Sequence, residues 1–226
     1  MANVFQDRKD AGRQLAEKLA RLDVDEGIVL ALPRGGVPVA YEVAKALHLP
    51  LDVFVVRKIG VPGREEFAMG AIATGGIRVL NSDVVQMLQI PESEIERVAA
   101  QEQKELQRRE REYRGEKPPP KISGRTVLVV DDGLATGATM RAAVKALQKE
   151  NPARLIVGVP TAAPETCDQF REMADEIVCL STPSPFYAVG TWYEDFTQTT
   201  DEEVRDLLQE IELLQADEHE FSKASS

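Results

Sequence analysis

The chain has 226 residues, enough to bury one sizeable core, and its 38 acidic against 27 basic side chains give a formal charge of −11. That balance offers no field to gather a polyanion, so no nucleic acid is expected as a partner, and no apolar run is long enough to cross a bilayer. Two cysteines, Cys167 and Cys179, and two histidines, His48 and His219, leave little from which to build a disulfide framework, a histidine-rich zinc site or a Ser-His-Asp triad.

The opening residues mix charged and apolar positions at helical spacing, unlike a signal or transit peptide, so a cytoplasmic protein is expected. Asp7 is a good N-cap for a first helix reaching about Leu22, with Leu15, Leu19 and Leu22 on one face. Short apolar runs at 28–32, 53–56, 126–130, 155–159 and 176–180 are separated by helical patterns. Such alternation predicts an α/β fold, a largely parallel central sheet flanked by helices. A Gly-rich stretch at 59–76 interrupts it, and so does a charged helical insertion at about 82–117, whose long helix, 92–114, is stopped by Pro118-Pro119-Pro120. With Ile95, Val98, Leu106 and Tyr113 as its apolar contacts, this helix reads as a cover over the sheet edge. A last helix, 201–214, keeps an apolar stripe at Val204, Leu207, Leu208, Ile211 and Leu214. Residues 1–215 are therefore expected to form one domain, and 216–226 a disordered tail.

Ligands of open parallel sheets bind beyond the carboxyl ends of the strands. The segments there read Pro33-Arg34-Gly35-Gly36, Arg57-Lys58 and Asp131-Asp132. The last continues as Asp131-Asp-Gly-Leu-Ala135-Thr136-Gly137-Ala138-Thr139 and leads into a helix near 140–149. Successive backbone N–H groups at 136–139 can point at one phosphate, Gly137 permits close approach, and the helix supplies its positive end. Thr136 and Thr139 can equally be helix caps, but capping does not account for two consecutive acids before the turn. One carboxylate can accept hydrogen bonds from a ribose diol while the other supports the sugar or its metal. No lysine follows the glycine, which excludes a Walker loop.

The stretch VLVVDDGLATGAT resembles the 5-phosphoribosyl 1-pyrophosphate (PRPP) motif of type I phosphoribosyltransferases, and LPRGGVPVA resembles that family's pyrophosphate loop. Within the family, the DR-x-x-AG start and the VRK-IG-x-PG segment look most like a group known from sequence as predicted phosphoribosyltransferases. The resemblance implies transfer of phosphoribosyl from PRPP to a small nitrogen nucleophile, with Mg2+ as cofactor and a homodimer as the assembly.

Carried onto this chain, it implies that Ala135, Thr136, Gly137, Ala138 and Thr139 bind the 5'-phosphate, that Arg34, Gly35 and Gly36 bind pyrophosphate, and that Asp131, Asp132, Arg57 and Lys58 serve the reaction. The stretch 59–76, with Glu65 and Glu66, resembles the loop that closes over substrates in this family, an ordinary hairpin connection being the alternative. Phe186 or Trp192 can stack on a flat acceptor ring, with Glu194 and Asp195 as metal contacts, because 183–195 resembles the acceptor segment of the 6-oxopurine enzymes. Those enzymes carry an acid in the phosphate loop where this chain has Ala135, and the loop here follows the adenine-type D-D-x-x-A-T-G-x-T pattern. A PRPP-binding regulator without turnover, and a hydrolase or phosphorylase of phosphorylated sugars, are the alternatives from other classes.

Overall fold

In the computed structural model, residues 4–224 are described, apart from the side chains of Glu66 and of 217–224, His219 among them. The expected architecture is present. Five parallel strands, β1 (Ile28–Ala31), β2 (Leu51–Val53), β6 (Thr126–Val130), β7 (Arg154–Thr161) and β8 (Glu176–Ser181), lie in the order β2-β1-β6-β7-β8. Successive side chains of β6 show how the sheet is covered on both faces. Leu128 and Val130 face a core shared with α1 (Arg8–Leu19), α2 (Gly36–Leu47) and α7 (Asp201–Ala224), whereas Val127 and Val129 face α5 (Ala138–Gln148) and α6 (Pro164–Phe170). Strands buried on both faces are apolar throughout, hence the uninterrupted Val127-Leu-Val-Val130 run.

The first helix begins where expected, with the Asp7 side chain accepting from the Asp10 N–H at 2.7 Å, but it stops at Leu19 rather than Leu22. The second apolar run is split. Leu51–Val53 is the edge strand of the main sheet, whereas Val56–Val61 is β3 of a separate antiparallel sheet with β4 (Arg64–Ala73) and β5 (Ile77–Leu80). Arg57 and Lys58 therefore lie inside β3 and do not end a core strand. The stretch 59–76 is correspondingly strand and tight turn over most of its length, not an open loop: Ile59 pairs with Gly70, Lys58 with Ala71 and Arg57 with Ile72. Its glycines serve close strand approach, since a Cβ on Gly70 would meet the Val79 carbonyl oxygen at 2.5 Å.

The charged insertion forms α3 (Ser82–Met87) and α4 (Glu92–Arg114), and α4 buries Ile95, Ala99, Leu106 and Tyr113 along one stripe. The final helix does not end at Leu214. It runs to Ala224, through the segment expected to be a disordered tail, because 215–224 contains strong helix formers and no glycine or proline to stop it. Ser225 and Ser226 lie outside the described residues. No helix among the described residues is long and apolar enough to cross a membrane.

Candidate active site

The strand order reverses direction between β1 and β6, so the loops leaving these neighbours open a crevice at the sheet's carboxyl edge. Ala31 pairs with Val130, and the Leu32 N–H donates to the Val130 carbonyl at 2.9 Å. This register brings Arg34-Gly35-Gly36 directly against Asp131-Asp132. A Cβ on Gly35 would stand 2.1 Å from Asp132 Oδ2, and one on Gly36 would stand 2.8 Å from the Val130 carbonyl oxygen and 2.9 Å from Asp131 Cα. Only glycine fits at either place without something moving. Arg34 itself is half-exposed and lies 3.6 Å from Asp201, a loose surface pair that leaves it free to turn toward an anion.

Beyond the acids the loop is held open from behind. Thr166 Oγ1 donates to the Ala135 carbonyl at 2.7 Å, and Arg141 Nη2 donates to the Thr136 carbonyl at 2.9 Å. With those carbonyls turned back, the first N–H groups of α5 are presented at the exposed residues Ala138 and Thr139. Gly137 enters α5 at φ 66°, and a Cβ there would meet the Phe170 ring at 2.7 Å and Thr166 Cγ2 at 2.8 Å. Thr136 and Thr139 are both exposed at the mouth of this turn.

Asp131 and Asp132 repel one another in a confined space. Burial, then the neighbouring Asp132, raises the Asp131 carboxyl well above its usual range. Burial also raises Asp132, but Arg8 opposes the rise, with Nε 2.9 Å from Oδ2. Asp132 is further held at its backbone, whose carbonyl accepts from the Tyr193 hydroxyl at 2.6 Å. Arg8, Tyr193 and Thr166 were not among the expected site residues. The first had a sequence signal in DR-x-x-AG; the others had none, being fixed by contacts between distant segments.

The aromatic segment reaches the same crevice by way of Val189, which abuts Gly133: a Cβ on Gly133 would lie 2.5 Å from Val189 Cγ1. Phe186 and Trp192 stack on each other, centroids 6.2 Å apart. Trp192 also packs against the Phe5–Tyr193 cluster, so it secures the chain's end onto the core, while Phe186 stays half-exposed. Glu194 and Asp195 are not gathered with Asp131 into a metal group. Asp195 accepts from the Thr197 hydroxyl at 2.6 Å and its N–H at 2.9 Å, which lowers its pKa, and the exposed Glu194 pairs its backbone with Phe5. Among the described residues, no three His, Cys, Asp or Glu side chains stand where they would hold a metal ion.

Arg57 and Lys58 instead line a cleft of about 490 Å³ that runs from Thr139 past the hairpin to α4, where Arg97 and Glu102 form the far wall. Arg57 is fixed there by Glu102, with Nε and Nη2 each 2.8 Å from Oε2. The charged helix is thus more than a cover, since it shapes one side of the cleft. Cys167 and Cys179 are free thiols, the first buried and the second half-buried, as small apolar residues would be.

The chain as a whole is similar to known proteins. A family model described as phosphoribosyl transferase domain matches residues 3–194. Two relatives from strains of Mycobacterium tuberculosis, each provisionally named a phosphoribosyl transferase, are 48% identical over 201 residues, 89% of this chain. The chain spans 45% of the length of each of those relatives. The crystal structure of TT1426 from Thermus thermophilus is 46% identical with a TM-score of 0.83, over 92% of this chain and 98% of that one.

Proposed function

The chain belongs to the phosphoribosyl transferase family, and from that premise we propose that it transfers a 5-phosphoribosyl group from PRPP to a small nitrogen nucleophile, a nucleobase or related heterocycle, and releases pyrophosphate. The observation that supports this reading is the seating of Gly35 and Gly36 against Asp131 and Asp132, because it brings together the three segments read as diphosphate loop, acid pair and phosphate turn. Sugar, 5'-phosphate and leaving diphosphate each meet chemistry that suits them. The free thiols agree with a cytoplasmic setting.

Displacement at C1 of the ribose builds positive charge on the sugar, so the protein's task is positioning and electrostatics more than covalent chemistry. In this reading Asp131 accepts from the ribose hydroxyls and stabilises the cationic ring. Gly35 and Gly36 let backbone N–H groups approach the diphosphate, with Arg34 turning in to neutralise it. The N-terminus of α5 anchors the 5'-phosphate, which fixes C1 relative to the acceptor.

Magnesium is the cofactor the family implies, and the donors fit it in a limited way. Asp131 is the carboxylate that would help to hold the ion beside the diphosphate, an oxygen donor of the kind magnesium takes. Bound there, it supplies charge neutralisation of the leaving group.

The reading is tested by measuring pyrophosphate release from PRPP and magnesium across purines, pyrimidines and other nitrogen heterocycles, with an acceptor-free control. Release dependent on one acceptor is expected. Acceptor-independent release would indicate a hydrolase, and tight PRPP binding with no release would indicate a regulator.

Arg57 offers a second check on the same reading. Arg57→Gln combined with Glu102→Gln removes the ion pair without stranding a charge, and PRPP affinity is expected to fall about tenfold, the loss of one charge-assisted contact. Unchanged affinity by calorimetry would leave this pair as a tie between the hairpin and α4 only.

A further inference from the structure

The phosphate turn has one peptide that its own backbone leaves free to reverse, the unit joining Thr136 to Gly137. In a trans peptide such as this one the carbonyl and the N–H point to opposite sides, so the Thr136 carbonyl and the Gly137 N–H cannot both face a ligand. Turning the unit over would exchange an N–H that attracts an anion for a carbonyl oxygen that repels it. Such a reversal is absorbed by ψ of the first residue and φ of the second, and a glycine in second place accepts either sign of φ. Gly137, at φ 66° and with no room for a Cβ beside the Phe170 ring, is that glycine. The residue that lets the backbone come close to a phosphate therefore also requires that the carbonyl before it be held.

Arg141 holds it. Its Nη2 donates to the Thr136 carbonyl at 2.9 Å, its Nη1 donates to Gln169 Oε1 at 2.9 Å, and its Cζ lies 5.7 Å from the centroid of the Phe170 ring. Gln169 and Phe170 both belong to α6, so the guanidinium ties the turn to that helix and directs the Thr136 carbonyl toward it. The Gly137 N–H then points away from α6. The backbone of Arg141 acts on the other side of the glycine, its N–H donating to the Gly137 carbonyl at 2.8 Å. One residue thus grips the carbonyls before and after Gly137. The preceding peptide is braced in the same sense, with Thr166 of α6 donating to the Ala135 carbonyl at 2.7 Å.

We propose that Arg141 is a positioning residue for the 5'-phosphate: it fixes the Thr136–Gly137 peptide with its carbonyl toward α6 and its N–H toward the ligand. The proposal rests on the PRPP-binding reading above, which gives residues 135–139 to that phosphate. Two other roles make different demands. A guanidinium that met the phosphate itself would bind it better once released from Gln169, whereas a brace loses its orientation with Gln169. A tie between α5 and α6 with no part in binding would affect every ligand of the crevice alike or none of them.

The experiment is calorimetry on the full chain with the two ends of PRPP as separate probes, ribose 5-phosphate for the turn and magnesium pyrophosphate for the loop at Gly35 and Gly36. Wild type is compared with Arg141→Met, Arg141→Lys, Gln169→Ala and Thr166→Val. Arg141→Met is expected to weaken ribose 5-phosphate about tenfold, the loss of one charge-assisted hydrogen bond, and to leave magnesium pyrophosphate unchanged. Arg141→Lys can still donate to the Thr136 carbonyl and should recover most of that affinity. Thr166→Val removes a neutral brace from the same turn and should show the same selective loss, which no change of charge can produce. Gln169→Ala should weaken ribose 5-phosphate about threefold. Equal losses for both probes, or no loss for either, would overturn the proposal and leave a structural tie. Gln169→Ala binding as tightly as wild type, or more tightly, would overturn it in favour of direct contact. Should Arg141→Met fail to fold, Gln169→Ala decides alone, because that side chain is exposed. Wild type that binds PRPP but not ribose 5-phosphate would remove the role given to the turn and Arg141's with it, and wild type that binds neither would overturn the functional reading itself.

Discussion

Asp131→Asn is expected to abolish PRPP binding and at the same time raise the melting temperature, whereas its neighbour Asp132→Asn should lose both binding and stability. The opposite signs follow from the environments of the two acids. Asp131 carries a carboxyl whose pKa is raised by burial and by Asp132, so the folded chain holds that proton more tightly than the unfolded chain does. Between the ordinary carboxylate pKa of about 4 and the raised folded value, the folded state therefore binds more protons, and stability falls as pH rises through that window. Asparagine cannot ionise and removes the penalty. A higher melting temperature is therefore expected at neutral pH, and the gain should vanish once the pH is brought below about 4. Asp132 is different because Arg8 depends on it. Its replacement breaks the 2.9 Å pair of a guanidinium whose side chain is 10% exposed and leaves only the more distant Asp131 to balance it, a loss of about 2–3 kcal/mol that outweighs the relief of burying Asp132 itself. Thermal midpoints of both variants at pH 7 and pH 4, with PRPP titrations at pH 7, decide the matter. Equal destabilisation by the two asparagines would mean that the acids are not divided in this way.

How much of this site could be read from the chain depended on whether its residues are neighbours in sequence. The phosphate turn was legible because strand, acids, small residues and helix follow one another from Val127 to Gln148, each in the place that strand and helix periodicity assign it. The pyrophosphate loop was legible as a turn, but its contact with Asp132 depends on β1 lying beside β6, which is a property of strand order. Arg8 meets Asp132 across 124 positions and Tyr193 meets it across 61, and no local pattern encodes either contact. Trp192 is a related case: its aromatic ring suits an acceptor pocket, and the N-terminal segment folding beneath it engages the ring in packing as well. At 59–76 the residues Gly60, Pro62 and Gly63 signal a loop when taken singly, which left a closing loop and a hairpin both open, and the hairpin is what forms. Antiparallel pairing of β3 with β4 tolerates them, Gly60 opposite Ala68 and Gly63 in the turn at φ 76°. The last helix ran past its apolar stripe because helix propensity carries on where amphipathic patterning stops.

Gly35→Ala is expected to be as damaging to PRPP binding as loss of an acid, although alanine is ordinarily a mild replacement and the backbone here is not in a left-handed conformation. The new methyl would lie 2.1 Å from Asp132 Oδ2 and 2.8 Å from its Cγ. A flexible side chain would swing away at little cost, but Asp132 is short and is held by Arg8 on its carboxylate and by Tyr193 on its carbonyl. Relief therefore requires either breaking the Arg8 pair or withdrawing the pyrophosphate loop from the acids, and both separate groups that must meet PRPP together. Affinity should fall by about a hundredfold, with a melting temperature lower by about 5 °C, the scale of an overpacked buried site. Gly36→Ala provides the contrast, because its methyl would strike the Val130 carbonyl oxygen and Asp131 Cα, backbone that cannot rotate aside, so its stability loss should be the larger. The steric account makes a sharper demand on Gly35. In an Asp132→Ala background the obstructing carboxylate is gone, and Gly35→Ala should then cost nothing further in melting temperature. A full additional loss in that background would mean that the pyrophosphate loop is constrained by something other than Asp132, and that the seating of the two loops is not what ties stability to PRPP binding.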